Sequence, residues 1–86
     1  MTRVEYQREI SRQLNKIEGC KEYWFHVMSK DDIYDKMRMT LCEGCFDLFE
    51  TKGLEFAKSE FAKLAAMCMI AMDVVDMELA YKKEND

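Results

Sequence analysis

Proline is absent from the 86 residues and glycine occurs only three times, so the chain lacks the punctuation that hairpins, Greek keys and long functional loops need. One histidine, His26, gives no histidine metal pair, and a nucleophilic arrangement around it would have to draw on cysteine. No GxGxxG, GxxxxGKS/T or GxSxG string occurs, which removes the common phosphate cradles and the nucleophile elbow. The longest apolar run, Leu64 to Met72, is about half the roughly 20 residues of a membrane-spanning helix. Charges break the opening MTRVEYQREISRQ too often for a signal or transit peptide. Base is also scarce: 13 Lys and Arg against 17 Asp and Glu leave a formal net charge of −4, without the basic cluster that phosphate tracking requires. Neither nucleic acid nor membrane is expected as a partner. A cytoplasmic location is expected, with Cys20, Cys42, Cys45 and Cys68 as free thiols.

What is present is helical. Hydrophobic residues make up 49% of the chain, eight of them Met, and Met, Leu, Lys, Glu and Ala all favour helix. The expectation is one all-α domain over residues 1–86, a small bundle of three principal helices. Val4, Ile10, Leu14 and Ile17 fall near helical spacing, and Gly19 offers a stop, giving a first helix over Arg3 to Glu18. CKEYWFHVM crowds Tyr23, Trp24 and Phe25 without clear period, as a short helix or an extended connector. Ser29 with Asp32 resembles an N-cap. A second helix starts there, carries Ile33, Met37, Leu41, Phe46, Leu48 and Phe49, and ends at Thr51 to Gly53. The third runs from Leu54 to about Lys83. It is apolar almost all round between Phe61 and Val75, where its only charges are Lys63 and Asp73, and should be the central element. YKKEND is expected to fray. A domain this short hides only roughly 60 to 65% of its unfolded surface. A homodimer is therefore expected to complete the core, through Phe61, Leu64, Met67, Cys68, Ala71 and Val75.

Three constellations bear on function. Cys42-Glu43-Gly44-Cys45 is a CxxC, and with Cys20 it would make a zinc-bound regulatory module; structural zinc wants four ligands, and no second pair at that spacing exists. Without a βαβ pattern, thioredoxin-type chemistry is not expected. Trp24 and its neighbours are either core or a binding hot spot. Glu43, Asp47 and Glu50 lie at i, i+4 and i+7, with Glu60 on the next helix. Carboxylates on two packed helices are how an all-α protein gathers Mg²⁺, although the same pattern also suits a solvated face.

The last pattern resembles the MazG-like all-α nucleotide pyrophosphohydrolases, which carry an E-E-x-x-E block on one helix and E-x-x-D on the next. The corresponding stretches are Glu43-Gly44-Cys45-Phe46-Asp47 and Glu60-Phe61-Ala62-Lys63, and KLAAMCMIAMDVVD is similar to the apolar helix that follows in small phage-encoded members. The resemblance covers about Thr40 to Asp76. Gly44 and Lys63 stand where the family keeps acids, so only Glu43, Asp47 and Glu60 remain of its metal-binding set. The resemblance therefore implies a MazG-like scaffold with a decayed site: a non-catalytic, cofactor-free phage protein that binds and inhibits a host protein of an anti-phage defence system. Glu43, Asp47, Glu50 and Trp24 are the expected partner-binding residues. A surviving Mg²⁺-dependent nucleoside triphosphate pyrophosphohydrolase is the alternative.

Overall fold

The computed structural model describes residues 2–47 and 53–85. Among them every regular element is helical. Helix α1 is Arg3–Glu18. It starts at a capping box of the T-x-x-E pattern, Thr2 to Glu5: the Thr2 hydroxyl accepts from the Glu5 N–H at 3.2 Å, and the Glu5 carboxylate accepts from the Thr2 N–H at 3.3 Å. Such a cap contributes about 1 kcal/mol. The helix ends at Gly19, whose φ of −81° is right-handed, so the chain stops there without using the conformation that favours glycine.

Of the two forms left open by its sequence, the connector takes the short-helical one, in two pieces. It is a pair of single 3-10 turns, Lys21–Tyr23 and Phe25–Val27. These aim consecutive aromatics in different directions: Phe25 is completely buried, Tyr23 packs partly against the core, and Trp24 is 38% exposed. Helix α2, Lys30–Met39, begins at Ser29, whose hydroxyl accepts from the Asp32 N–H at 3.2 Å. No residue of α2 is buried, and only Ile33 and Met37 lean on the core.

The second helix does not continue as an α-helix. From Thr40 to Asp47 the backbone is a π-helix, whose i→i+5 hydrogen bonds widen each turn. At the junction the buried Thr40 hydroxyl donates to the Lys36 carbonyl at 3.0 Å, a bond back along the helix of a kind that bends helices. Of the apolar side assigned to this helix, Leu41 is 38% exposed; Leu48, Phe49, Thr51 and Lys52 lie outside the described residues. Gly53 has a φ of +89°, in the left-handed region where a side chain is strained, and leads into α3.

Helix α3 is Leu54–Asn85, 32 residues, or about 48 Å at 1.5 Å per residue. It spans the long axis of a molecule measuring 49 × 28 × 20 Å and remains helical through the terminus expected to fray. The core is Ile17, Phe25, Ala66 and Met67, bordered by Ile10, Leu14, Met28, Ile70, Ala71 and Val74. Helix α1 and the π segment supply most of the packing against α3. The turn Phe25–Val27 and α2 touch it as well. Among the described residues its outer face is nevertheless uncovered: Met69, Met72, Val75 and Leu79 are exposed, Met72 by 66%. No helix among the described residues is long and apolar enough to cross a membrane.

Candidate functional site

The π segment, α2 and α3 enclose a cleft of about 410 Å³ lined by Tyr23, Asp32, Asp35, Lys36, Thr40, Glu43, Gly44, Glu60 and Lys63, among others. Its wall is built from the bottom up by one absence. Gly44 is buried, and the Glu60 carboxylate lies directly on its α-carbon. A β-carbon there would overlap Glu60 Oε2 and sit 3.1 Å from Cδ. The wide π turn presents position 44 to α3, and the missing side chain lets the carboxylate in.

Lys63, one turn along α3 from Glu60, does not swing away to solvent. Its ammonium lies 5.1 Å from the centre of the Tyr23 ring, and that of Lys36 lies 5.0 Å from the same ring. Lys36 also reaches Glu22 Oε2 at 3.6 Å. Burial acts to lower the Lys63 pKa. The Tyr23 side chain, then the charges of Glu60 and Glu22, outweigh it, and the net displacement is upward. The site therefore holds a firmly protonated ammonium beside its carboxylates. Glu60, Lys63 and Tyr23 also line a second cleft of about 380 Å³ with Arg12, Gln13 and Lys16 of α1, so this trio is the partition between the two clefts.

A metal at this place would face unfavourable electrostatics. A divalent ion about 5 Å from an ammonium is repelled by roughly 7 kcal/mol at an effective dielectric of 20. Among the described residues no three His, Cys, Asp or Glu side chains gather in a geometry that could hold a metal ion. Glu43 is exposed at the rim of the cleft. Glu50 and the side chain of Asp47 lie outside what the structure describes.

The cysteines also separate. All four are free thiols. Cys45 is completely buried, and burial, then the charge of Glu60, pushes its pKa upward, while Cys42 is exposed. One thiol of the CxxC faces the interior in its neutral form and the other faces solvent. The two thiols therefore face different surroundings, and among the described residues Cys20 joins no metal-binding group with them.

Trp24 is half-exposed. Its indole donates to the Glu18 carbonyl at 3.4 Å, its ring stacks on His26 at 5.9 Å, and Lys21 lies 5.8 Å above it. His26 is itself exposed, with one face of its ring against Trp24. Of the residues assigned to a dimer face, Cys68 and Val75 are exposed, Phe61 is 39% exposed, and Leu64 and Ala71 are half-buried. Met67 has no exposure at all. It is part of the chain's own core, because it lies toward α1, and is not available to a second copy.

Sequence reading missed Tyr23, Lys36, Asp32 and Asp35 as members of the cleft. Asp32 and Asp35 stand at i, i+3 on α2, a spacing visible in the sequence, but nothing local indicates that they approach Glu60. Compared with known proteins, the chain matches no family model, no curated protein and no solved structure.

Proposed function

We propose that this chain is a non-catalytic protein-binding module: a MazG-like bundle whose metal site has been replaced by an internal charge cluster. The observation that carries this reading is the seating of the Glu60 carboxylate on Gly44, beside the Lys63 ammonium held at Tyr23. In the resembled enzymes position 44 would carry a second glutamate. Here its β-carbon alone would collide with Glu60, and Lys63 supplies the positive charge that a metal would otherwise bring. Metal-activated water, which hydrolysis of this type needs, has no place in such a cluster.

Binding is assigned to the outer rim. Glu43, exposed at the rim, is an acidic group that steers encounter and selects partners, and Asp47 and Glu50 follow it in sequence. Trp24, half-exposed and braced by His26 and Lys21, has the character of an interface anchor, since such aromatics dominate binding energy. The partner proposed from the resemblance is a host protein of an anti-phage defence system, met by a phage protein that is itself a homodimer. One observation favours the alternative of an Mg²⁺-dependent pyrophosphohydrolase: four carboxylates, Asp32, Asp35, Glu43 and Glu60, line the same cleft.

The two readings separate in one experiment. Purified protein is assayed for Mg²⁺-dependent pyrophosphate release from each standard nucleoside triphosphate, and tagged protein is used to capture partners from host lysate with and without a chelator. The binding module gives no release, together with a stoichiometric partner that survives chelation and is lost in E43A or W24A. Release that disappears in E43A or E60A would overturn it.

A further inference from the structure

The outward face of α3 carries a second pattern, independent of the cleft. Ala65, Cys68, Met72, Val75 and Leu79 follow one another at alternating spacings of three and four residues, the repeat that keeps one seam of a helix facing a partner helix. Cys68, Met72, Val75 and Leu79 are exposed, and Ala65 is half-buried. Phe61 continues the same spacing toward the start of the helix and is 39% exposed. No charge interrupts the seam between Phe61 and Leu79. Lys58, half-buried, takes its next position toward the start of the helix, three residues before Phe61, and Asp76, exposed, stands beside Val75. They are five full turns apart, about 27 Å along the axis, and therefore point in the same direction without being able to reach each other.

We infer that two copies of this chain pair through these faces with their α3 helices antiparallel, in the register that sets Lys58 of each copy against the partner's Asp76. This rests on the homodimeric part of the proposed function and specifies its geometry. Two-fold symmetry forms the charge pair twice, and in an antiparallel seam each flank meets its own counterpart, which an equal-handed Lys58 and Asp76 satisfy. The same register stacks Phe61 on the partner's Met72 and Ala65 on the partner's Cys68, so small and large residues alternate across the seam. Sliding the helices by one heptad keeps the apolar layers but brings Lys58 against the partner's Lys83, and like charges disfavour that alternative. A second copy is the occupant because one and the same stripe supplies both halves of the complementarity.

The test is sedimentation equilibrium of the full chain and of K58D, D76K and the double variant K58D/D76K, with circular dichroism to confirm that helicity is kept. Each single exchange replaces two attractions by two repulsions and should weaken the dimer about tenfold or more at low salt; the double exchange should restore it to within about twofold of the unaltered chain. Weakening that accumulates in the double variant, or single variants that dimerise normally, would overturn the register while leaving the homodimer standing. A chain that is monomeric at tens of micromolar would overturn both, while capture of a protein partner would be untouched.

Discussion

Replacing Gly44 by alanine is the sharpest probe of the cleft, because two opposed effects of known size meet there. In a helix interior the exchange is favourable by roughly 0.5–1 kcal/mol, since glycine loses the most conformational freedom on folding. Against this, the new β-carbon would overlap Glu60 Oε2 and press on Cδ at 3.1 Å and Cγ at 3.3 Å. Every obstructing atom belongs to a side chain that can rotate, so the cost is that of moving Glu60 off its rotamer, about 0.5–1.5 kcal/mol, plus its lost attraction to Lys63. G44A alone should therefore be neutral or destabilising by about 1 kcal/mol. In an E60A background the obstacle is gone and G44A should stabilise by about 0.5–1 kcal/mol, giving a coupling of roughly 0.5–2 kcal/mol between positions sixteen residues apart. Urea unfolding followed by circular dichroism measures this: for a domain of this size 1 kcal/mol moves the midpoint by up to about 1 M and Tm by about 4–8 °C. E60Q separates shape from charge, since it keeps the overlap and removes the attraction. Equal effects of G44A with and without Glu60 would refute the packing of that carboxylate on Gly44, and with it the reading of the cleft as a filled site.

Phe25→Ala should cost about 3–5 kcal/mol, a large share of the roughly 5–10 kcal/mol that stabilises a domain of this size, and leave the chain largely unfolded at 37 °C; a Tm within a few degrees of the unaltered protein would show that the 3-10 turn does not plug the core. Thiol labelling should find Cys42 reactive in the folded protein and Cys45 protected until unfolding. Because burial raises the Cys45 pKa in the fold above its ordinary value of 9.0, the stability it contributes is complete below that value and is lost as pH rises through the raised one; C45A should flatten the alkaline decline of Tm. At the acid end Glu9 is held below its ordinary 4.5 by hydrogen bonds from Arg12 first and then Gln13, so its contribution is present above that pH and disappears as pH falls through the lowered value. Chemical-shift titration of Glu9 in R12A should move its midpoint upward.

The parts of the fold legible in the sequence are those governed by local chemistry. Ile10, Leu14 and Ile17 mark the inner face of α1, Ser29 caps α2, and Gly53 supplies the left-handed turn before α3. These are decided within a few residues, and the helix limits follow from them. The π segment was not legible, because Leu41, Glu43 and Asp47 suit an α period as well as a wider one, and the shift in hydrogen bonding leaves no mark on residue type. Nor was the inward turn of Gln13, a polar residue made tolerable by its bond to Glu9. For the cleft, Gly44, Lys63 and Glu60 stood out by their residue types, yet their mutual fit depends on a contact between two elements. The same holds for Tyr23, which becomes the seat of two ammonium groups only once the connector folds back. Met67 was misassigned for the opposite reason: on a helix apolar nearly all round, periodicity alone does not tell which side meets α1.

The proportions set by α3 carry a practical consequence. A body 49 Å long and 20 Å thick experiences more hydrodynamic drag than a sphere of the same 10.2 kDa. A single copy will therefore leave a gel-filtration column earlier than its mass warrants, at a volume that a compact dimer of similar chains could share. Joining two such rods side by side adds girth more than length, so the pair is less elongated than its parts and its elution shifts by less than a doubling of mass would suggest. Elution volume compresses the difference between one copy and two, and only a method that weighs the particle, by equilibrium sedimentation or light scattering, distinguishes them.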